Sequence, residues 1–410
     1  MASVLEIAKK LNKEFNDPTF AIMGDVKPNY KRMPTNALGL DYILGGGIPL
    51  GRIIEFSGLQ HSGKTTAACA VMAAYQRHFP DKMCIYVDVE HSLDRTFQAK
   101  MTGLDFSKVL YVSPNCQSGE QVCDMIIEWQ KSDDIGCIVL DSLPALMSAA
   151  VLENDLTKDT GMRGSMAKTF HKFFPIMGDL VAKKENLFIA INQVRDDGKT
   201  FTGIQKWKEP CGNAANFYSS IIIRFGTRKF TLGDDMDACG AKNGEGADGF
   251  RLLYKVLKNK CGSCNRGGGF MTFRYATGLD WINDLLEIAV GFGFIKRLST
   301  VTYALVNLKQ EYRINEETGE ILKDAKTGEP VLNILLDEEG NELKGKKVDL
   351  IEYIKTNIPF QTQYLKMLND VISEDDTVSY GSLLDARTNE EINAQQFAID
   401  NQYVIDKSNQ

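Results

Sequence analysis

A glycine-rich loop that directly follows an apolar strand pattern constrains the fold more than any other feature of this sequence. The strand pattern covers residues 52–56, and the loop from Gly58 to Thr65 reads Gly-Leu-Gln-His-Ser-Gly-Lys-Thr. Its glycines allow several backbone N–H groups to converge on one anion, and a helix that begins near Gly63 adds the positive end of its dipole. Lys64 would neutralise the β- and γ-phosphates of a nucleotide, and Thr65 would bind Mg²⁺. Because strand, loop and helix follow in the required order, a chance match is disfavoured and a phosphate-binding P-loop is predicted.

Length and composition limit the class of protein. A chain of 410 residues is longer than one compact core usually is, so we expect roughly two to three structural units. The formal net charge of −7 excludes a polycationic protein, and any nucleic-acid site must be a local basic surface. The start of the chain lacks the apolar core of a signal peptide, and no run approaches the roughly 18 apolar residues of a membrane span. We therefore expect a cytoplasmic protein without a membrane partner.

Strand and helix patterns alternate after the P-loop. Short apolar runs, of the kind buried on both faces of a parallel sheet, are separated by longer segments compatible with helices. This alternation indicates a βαβ series and hence an α/β fold, with a mostly parallel central sheet flanked by helices. The strand patterns cover 84–88, 109–112, 137–141 and 187–191, and the helical segments include 69–78, 121–129 and 168–184.

Three polar residues lie where these strands end, which is where sheets of this type bind ligands. Asp141 ends the run 137–140, and its carboxylate would hold Mg²⁺ as in a Walker B strand, with helix capping as the alternative. Glu90 follows the strand pattern 85–88 closely enough to orient and deprotonate a water for attack on the γ-phosphate. Gln193 is a neutral amide that would sense whether the γ-phosphate is present. Taken alone, Glu90 and Gln193 would be read as exposed polar residues.

Five separated motifs together resemble the bacterial RecA family in order and spacing. The likeness covers roughly residues 10 to 300, and a weaker one around 345–347 and 357–359 extends into a small C-terminal domain. It implies a RecA-like P-loop ATPase core and an ATP-dependent recombinase, with ATP and Mg²⁺ as cofactors. Such a protein forms helical filaments on single-stranded DNA and exchanges strands with double-stranded DNA. The motifs are Gly58 to Thr66, Asp88-Val89-Glu90-His91-Ser92-Leu93-Asp94, Val139-Leu140-Asp141-Ser142, Ile191-Asn192-Gln193-Val194-Arg195 and Lys255-Val256-Leu257-Lys258-Asn259-Lys260.

The resemblance also implies roles for single residues around the nucleotide. Glu90 would be the catalytic base, Gln193 would couple the γ-phosphate to a DNA-binding loop, and Asp94 with Phe97 would lie near the adenine. The P-loop contacts to the nucleotide would come from Gly58, Gln60, His61, Ser62, Gly63, Lys64, Thr65 and Thr66.

Two lysines match family residues that reach the ATP of the neighbouring subunit. Lys258 and Lys260 are two residues apart on a predicted strand, so both would project from one face and cross an interface together. Charge supplied in this way would make hydrolysis depend on assembly. A pair of solvated surface lysines is the alternative. Phe217 also matches a subunit-contact position of the family.

Two segments are predicted to bind DNA. Residues 195–208 interleave cations with aromatic and flexible residues, which is typical of a loop that tracks a nucleic-acid backbone and contacts bases. Residues 153–172 correspond to the first DNA loop of the family. The second loop lacks the usual Gly-Asn-Pro-Glu-Thr-Thr-Thr-Gly sequence and carries Asp196 and Asp197, so its function carries over by region only. The predicted DNA contacts are Met162, Arg163, Lys168, Lys172, Arg195, Lys199, Phe201, Lys206, Trp207 and Lys208.

The expected organisation has four segments. A short N-terminal oligomerisation segment covers 1–33, the ATPase core with its DNA loops 34–280, a small α/β C-terminal domain 281–375, and a polar, flexible tail 376–410. An insertion at about 312–345 contains Thr-Gly-Glu and Glu-Gly-Asn turns and predicts consecutive β-hairpins. We expect it to be a solvated decoration of the C-terminal domain, with a partner site as the alternative.

Other functions share this core and remain open. Hexameric DNA helicases and the KaiC-like group have the same fold, but neither accounts for Glu90 together with the two lysines. An accessory or regulatory paralogue that does not hydrolyse ATP would bind DNA or a recombinase without strand exchange. The intact Lys64, Glu90 and Asp141 disfavour a paralogue, whereas the altered second loop keeps it open.

Overall fold

The described part of the chain falls into two compact units. The computed structural model describes residues 3–14, 31–35, 37–152, 165–199, 205–208, 214–230, 249–262, 267–291, 295–307 and 309–373. The first unit, Met1–Lys31, contains helix α1 (Val4–Glu14), which buries none of its residues. The second unit is Arg32–Gln410 and contains the other helices and strands. Among the described residues, no helix combines the length and apolar composition that crossing a bilayer requires.

Helices and strands alternate through most of the second unit. The helices that follow α1 are α2 (Leu38–Leu44), α3 (Lys64–His78), α4 (Arg95–Thr102), α5 (Gly119–Lys131), α6 (Ala149–Leu152), α7 (Ser165–Lys184), α8 (Ala214–Tyr218), α9 (Trp281–Gly291), α10 (Lys347–Thr356) and α11 (Ile358–Ser373), with short 3₁₀ turns at Phe106–Lys108 and Leu143–Ala145. The strands are β1 (Arg32–Met33), β2 (Ile48–Pro49), β3 (Arg52–Gly58), β4 (Met83–Asp88), β5 (Val109–Val112), β6 (Ile135–Asp141), β7 (Leu187–Gln193), β8 (Arg195–Lys199), β9 (Gln205–Lys208), β10 (Ile221–Phe230), β11 (Gly249–Asn259), β12 (Gly268–Arg274), β13 (Gly278–Leu279), β14 (Ile295–Arg297), β15 (Tyr303–Leu305) and β16 (Lys344–Gly345).

A central sheet organises the second unit. In the described residues its strand order is β13-β12-β11-β10-β3-β7-β6-β4-β5. All pairings from β10 through β3 to β5 are parallel, and β11 to β13 add an antiparallel extension at one side. The predicted α/β fold with a mostly parallel sheet is therefore confirmed. The register places Gly58 beside Gln193 and Asp88 beside Asp141, so the carboxyl ends of four strands meet at one edge.

Both faces of the parallel strands are covered, which explains their near-continuous apolar sequences. Alternate residues of β3 belong to different cores, because Ile54 and Phe56 pack on the side of α2 and α3 while Ile53 packs on the side of α5 and α7. Helix α3 is buried over most of its length. Phe170 and Phe174 of α7 fill the opposite face together with Phe188 of β7. The P-loop therefore joins two central elements of the core.

A third core lies in the C-terminal part. Helices α9, α10 and α11 pack with the small sheet β14-β15-β16 around a separate set of buried side chains. Helix α9 also contacts α2 and β12, so it joins this core to the central sheet. The fully buried members of the set are Leu285, Leu305, Ile354 and Tyr364.

A projecting segment, residues 309–342, lies in the insertion for which the sequence predicts hairpins. We call it the hairpin finger. Backbone hydrogen bonds join three of its residues in a ring, from Leu322 N–H to Arg313 O, Val331 N–H to Leu322 O, and Arg313 N–H to Val331 O, at 2.8, 2.9 and 2.9 Å. Its turns are held by the side chains of Asn315, Asp324 and Asp337, which accept backbone N–H groups two to four residues further on. Every residue of the finger is exposed or half-buried.

Candidate nucleotide-binding site

The loop between β3 and α3 is a concave turn that only glycine can form at two positions. A Cβ on Gly58 would lie 2.4 Å from Ser62 Oγ and 2.7 Å from Phe225 O. Gly63 has φ of +83°, and a Cβ there would lie 2.6 Å from Leu252 Cδ1. The N-terminus of the fifteen-residue helix α3 follows directly, which gives the loop the geometry of an anion cradle.

The lysine of the P-loop folds back over this cradle. Lys64 Nζ donates to Leu59 O at 2.7 Å, to Gly58 O at 3.3 Å and to Ser62 Oγ at 3.4 Å. Burial lowers the pKa of Lys64, while the carboxylates of Asp141 and Glu90 oppose that shift. Phosphate oxygens are stronger acceptors than carbonyl oxygens for an ammonium group, so the loop and Lys64 suit a nucleoside triphosphate.

Asp141 and Thr65 form the pair that fits Mg²⁺. Thr65 Oγ1 donates to Asp141 Oδ2 at 2.8 Å, and Tyr86 Oη donates to the same oxygen at 2.6 Å. Burial raises the pKa of Asp141 to about 6, and Glu90 and Asp88 act in the same direction, whereas the hydrogen bonds from Tyr86 and Thr65 lower it. A bound cation would relieve this accumulation of carboxylates. Hard oxygen donors of this kind match the preference of Mg²⁺, which would polarise the phosphates when bound.

Glu90 and Gln193 are brought into direct contact. Gln193 Nε2 donates to Glu90 Oε1 at 2.6 Å, and the hydroxyl of Ser142 donates to the same oxygen. The backbone also joins these segments, because Val89 N–H donates to Asp141 O at 2.7 Å. Glu90 therefore lies where the ends of β4, β6 and β7 meet.

A buried aspartate orders the loop that carries Glu90. Asp88 is 1% exposed, and its carboxylate accepts the N–H groups of Leu93 at 3.0 Å and Ser92 at 3.3 Å. Tyr111 Oη donates to the Asp88 carboxylate at 2.9 Å. The pKa of Tyr111 is raised, mainly by partial burial and secondly by this hydrogen bond. Asp88 thus ties the loop after β4 to the edge strand β5.

The residues predicted to lie near the adenine are at the start of α4. Asp94 is the N-cap of this helix, and its Oδ1 accepts the N–H of Phe97 at 2.9 Å. Phe97 is half-buried against the core. Gln98 Nε2 donates to Thr66 Oγ1 at 3.3 Å and so links α4 to the P-loop helix. Of the other predicted contacts, Gln60 and His61 are exposed and Ser62 is buried.

Lys258 and Lys260 lie together, as their spacing predicts, but they are not simply solvated. The ammonium group of Lys258 donates to Asn216 O and, at 3.2 Å, to Phe217 O, which also accepts from Lys260 Nζ at 3.4 Å. Lys260 Nζ lies 5.7 Å from the centre of the Phe217 ring, and Phe217 is 67% exposed. Burial and the neighbouring Lys260 lower the pKa of Lys258, and Glu55 opposes this shift. Within one chain, the two lysines therefore bind the C-terminal carbonyls of α8.

The predicted DNA contacts are distributed over two regions. Lys168 and Lys172 are exposed on the first turns of α7, and Arg195 is exposed at the start of β8. The segment predicted as the second DNA-binding loop begins and ends as a hairpin, in which Arg195 pairs with Lys208. Lys199 ends β8 and Lys206, Trp207 and Lys208 lie in β9, where only the backbone is described; Met162, Arg163 and Phe201 lie outside the described residues.

Sequence reasoning missed three residues that the structure places at the site. Tyr86 could have been found, because it precedes Asp88 by two strand positions and so shares its face. The sequence identifies Asp88 and Ser142 only as members of motifs and assigns no contact to either. Their contacts depend on the register between β4 and β6, which the local sequence does not give.

The P-loop, the carboxylate ending β6 and the Glu90–Gln193 pair on a mostly parallel sheet define a P-loop nucleotide-binding protein. The family model of the RecA N-terminal domain matches residues 3–279. This chain belongs to the RecA family. Membership implies ATP binding with Mg²⁺, ATP hydrolysis and DNA binding as general properties of the family.

Similar proteins carry the RecA name. Protein RecA of Ruminococcus albus is 31% identical over 289 residues, which are 70% of this chain and 68% of the relative. Protein RecA of Thermus aquaticus is 32% identical over 293 residues, 70% of this chain and 80% of the relative. Protein RecA of Chlorobium chlorochromatii is 30% identical over 345 residues, 83% of this chain and 90% of the relative. The crystal structure of the RadB recombinase superposes with a TM-score of 0.41 and 18% identity, over 60% of this chain and 97% of that one.

Proposed function

We propose that this chain is a cytoplasmic, ATP-dependent DNA recombinase that forms helical filaments on single-stranded DNA and pairs it with homologous double-stranded DNA. The observation that carries the proposal is the hydrogen bond between Gln193 and Glu90. Gln193 ends β7, and β8 of the proposed DNA hairpin begins two residues later. One contact thus connects the residue proposed to activate water with the segment proposed to bind DNA.

Hydrolysis would use residues already close to one another. Glu90 accepts a proton from the attacking water, and Lys64 stabilises charge on the phosphates. Thr65 and Asp141 would hold Mg²⁺ beside them. Gln193 would turn from Glu90 towards the γ-phosphate and so report its presence to the hairpin.

DNA binding would use exposed cations on α7 and at the start of the hairpin β8-β9. Lys168 and Lys172 are four residues apart on α7 and therefore lie on one face of this helix. Arg195 adds a third exposed cation at the entry to the hairpin. Contacts of this kind bind the phosphate backbone without reading the sequence, which suits a protein that must accept any strand.

The first test compares ATP hydrolysis with and without single-stranded DNA, together with electron microscopy of the complexes. We expect DNA to stimulate hydrolysis and filaments to form. In the variant Glu90→Gln, hydrolysis should fall by about 100-fold or more while ATP binding persists, because the general base is lost but the cradle is intact. Glu128→Gln is the matched control, since Glu128 is an exposed glutamate paired with Lys131 on α5. Normal turnover in Glu90→Gln would contradict the proposal.

An accessory paralogue without strand exchange is the second candidate. It is favoured by Asp196 and Asp197 in the proposed DNA hairpin, because acids weaken phosphate contacts. Strand-exchange assays with a homologous duplex separate the two candidates. Absence of both DNA-stimulated hydrolysis and exchange products would support the paralogue, and closed rings instead of filaments would support a helicase.

A further inference from the structure

Two donors share one oxygen of Glu90, and they differ in mobility. The hydroxyl of Ser142 and Nε2 of Gln193 both donate to Oε1. Ser142 is fully buried at the end of β6, and its own carbonyl accepts the N–H of Ala145 at 3.2 Å. The preceding carbonyl, of Asp141, accepts the N–H of Val89 at 2.7 Å. The Ser142 hydroxyl is therefore attached to backbone that is fixed on both sides.

Gln193 is the more mobile donor. Its side chain is half-buried and reaches Glu90 through two more rotatable bonds than a serine has. In the proposed function this amide turns towards the γ-phosphate when ATP binds. At that moment Glu90 loses the bond from Gln193, and a donor that stays in place is needed to keep the carboxylate oriented.

We propose that Ser142 is a positioning residue that holds Glu90 in its water-activating orientation when Gln193 has moved to the nucleotide. This inference rests on the proposed function, in which Glu90 is the general base. Because both hydrogen bonds end on Oε1, the second oxygen, Oε2, would accept the proton from water. Misplacement of a reacting group by about 1 Å can lower a rate by about 100-fold, so one fixed donor suffices to affect turnover.

The test is steady-state ATP hydrolysis with saturating single-stranded DNA, using Ser142→Ala and Ser142→Thr. We expect kcat of Ser142→Ala to fall by about tenfold or more, with KM for ATP and affinity for a non-hydrolysable ATP analogue unchanged. Ser142→Thr keeps the hydroxyl and should recover most of the loss. Thermal melting of each variant shows whether it is folded. Ser118→Ala is the control, because it removes a buried hydroxyl that caps α5 and should lower the melting temperature without lowering kcat.

A double-mutant cycle separates positioning from a general structural role. In the Glu90→Gln background, Ser142→Ala should not lower the residual single-turnover rate further, because the carboxylate that it positions is gone. Equal losses in both backgrounds, or a kcat loss that only follows reduced analogue binding, would overturn the inference. Normal kcat in Ser142→Ala with an inactive Glu90→Gln would overturn it while leaving the proposed function intact. An active Glu90→Gln would instead contradict the proposed function itself.

Discussion

Single side chains at the site are held by more than one partner. Asp141 accepts from both Thr65 and Tyr86, and Glu90 accepts from both Gln193 and Ser142. Asp141 is buried and Glu90 is exposed, and in both cases two donors restrict the orientation of the carboxylate. The orientations of these two carboxylates are thus restricted before any ligand arrives, which favours catalysis by reducing reorganisation.

Asp284 should make stability depend on pH. It is buried on α9 and accepts the N–H and the hydroxyl of Thr272 at 2.7 and 2.6 Å. Burial raises the pKa of Asp284 to about 7, Asp280 acts in the same direction, and the bonds from Thr272 and the charge of Arg251 oppose it. Because the folded pKa exceeds the reference value of 3.8, the stabilising proton is fully bound below about pH 4 and is lost as pH rises through 7.

The variant Asp284→Asn should lose this dependence. Melting temperatures measured between pH 4 and pH 8 should fall more steeply for the parent chain than for Asp284→Asn as pH rises. Asp349→Asn, at an exposed position of α10, should follow the parent profile. Parallel profiles for the parent chain and Asp284→Asn would show that protonation of Asp284 does not contribute to the pH dependence of stability.

At the scale of elements, the hairpin finger should be dispensable for the fold. Tyr312 and Leu332 face each other in an antiparallel bridge, so an Asn-Gly turn can replace residues 313–331 without breaking the chain path. The removed part buries no residue, and its ion pair between Arg313 and Glu342 is solvent-accessible, worth about 1 kcal/mol or less. We expect the melting temperature to change by only a few degrees and ATP hydrolysis to be unchanged.

Two leucines in the same region provide the control. Leu322→Ala removes a side chain that is 40% exposed in the finger, and it should have little effect on the free energy of unfolding. Leu305→Ala removes a fully buried side chain of β15 and should lower that free energy by about 2–5 kcal/mol. Equal effects of the two substitutions in chemical denaturation would contradict the view that the finger has no core.

The elements also show what sequence can and cannot give. The parallel strands and the P-loop were predictable, because continuous apolar runs and the glycine pattern are local signals. The sequence predicts a DNA-contacting loop where β8 and β9 form a hairpin, because the paired residues lie six to thirteen positions apart and the innermost pair encloses no two-residue turn signal typical of a tight hairpin. The contact of Ser142 with Glu90 joins residues 52 positions apart and requires the register of β4 on β6. Long-range pairing of this kind leaves no mark in a short sequence window.

At the scale of the whole molecule, we expect hydrolysis to depend on assembly. In one chain, Lys258 and Lys260 bind carbonyls at the end of α8, beside the exposed ring of Phe217. A neighbouring nucleotide would offer them phosphate oxygens, which bind ammonium groups more strongly. Replacing both lysines by alanine should therefore leave binding of an ATP analogue by monomers within about twofold and lower DNA-stimulated turnover by about 100-fold or more.

The matched control replaces Lys131 and Lys183, which are exposed cations outside the site, on α5 and α7. A further measurement mixes the Lys258→Ala/Lys260→Ala variant with Lys64→Ala. The first variant would supply an intact P-loop, and the second would supply the two lysines. Recovery of turnover in the mixture supports catalysis across an interface. Unchanged turnover in the Lys258→Ala/Lys260→Ala variant would contradict catalysis across an interface.

The central sheet fixes the distance between the strand that leads into the P-loop and the strand that carries Lys258. Glu55 of β3, Ile222 of β10 and Lys258 of β11 occupy one continuous rung, so the cradle strand and the lysine strand are separated by two steps of about 4.8 Å each. The hydrogen bonds between these strands hold that separation within each copy of the chain. If many copies bind along one polynucleotide, we therefore expect any elongation of the filament to occur at the contacts between copies and not within the sheet of each copy.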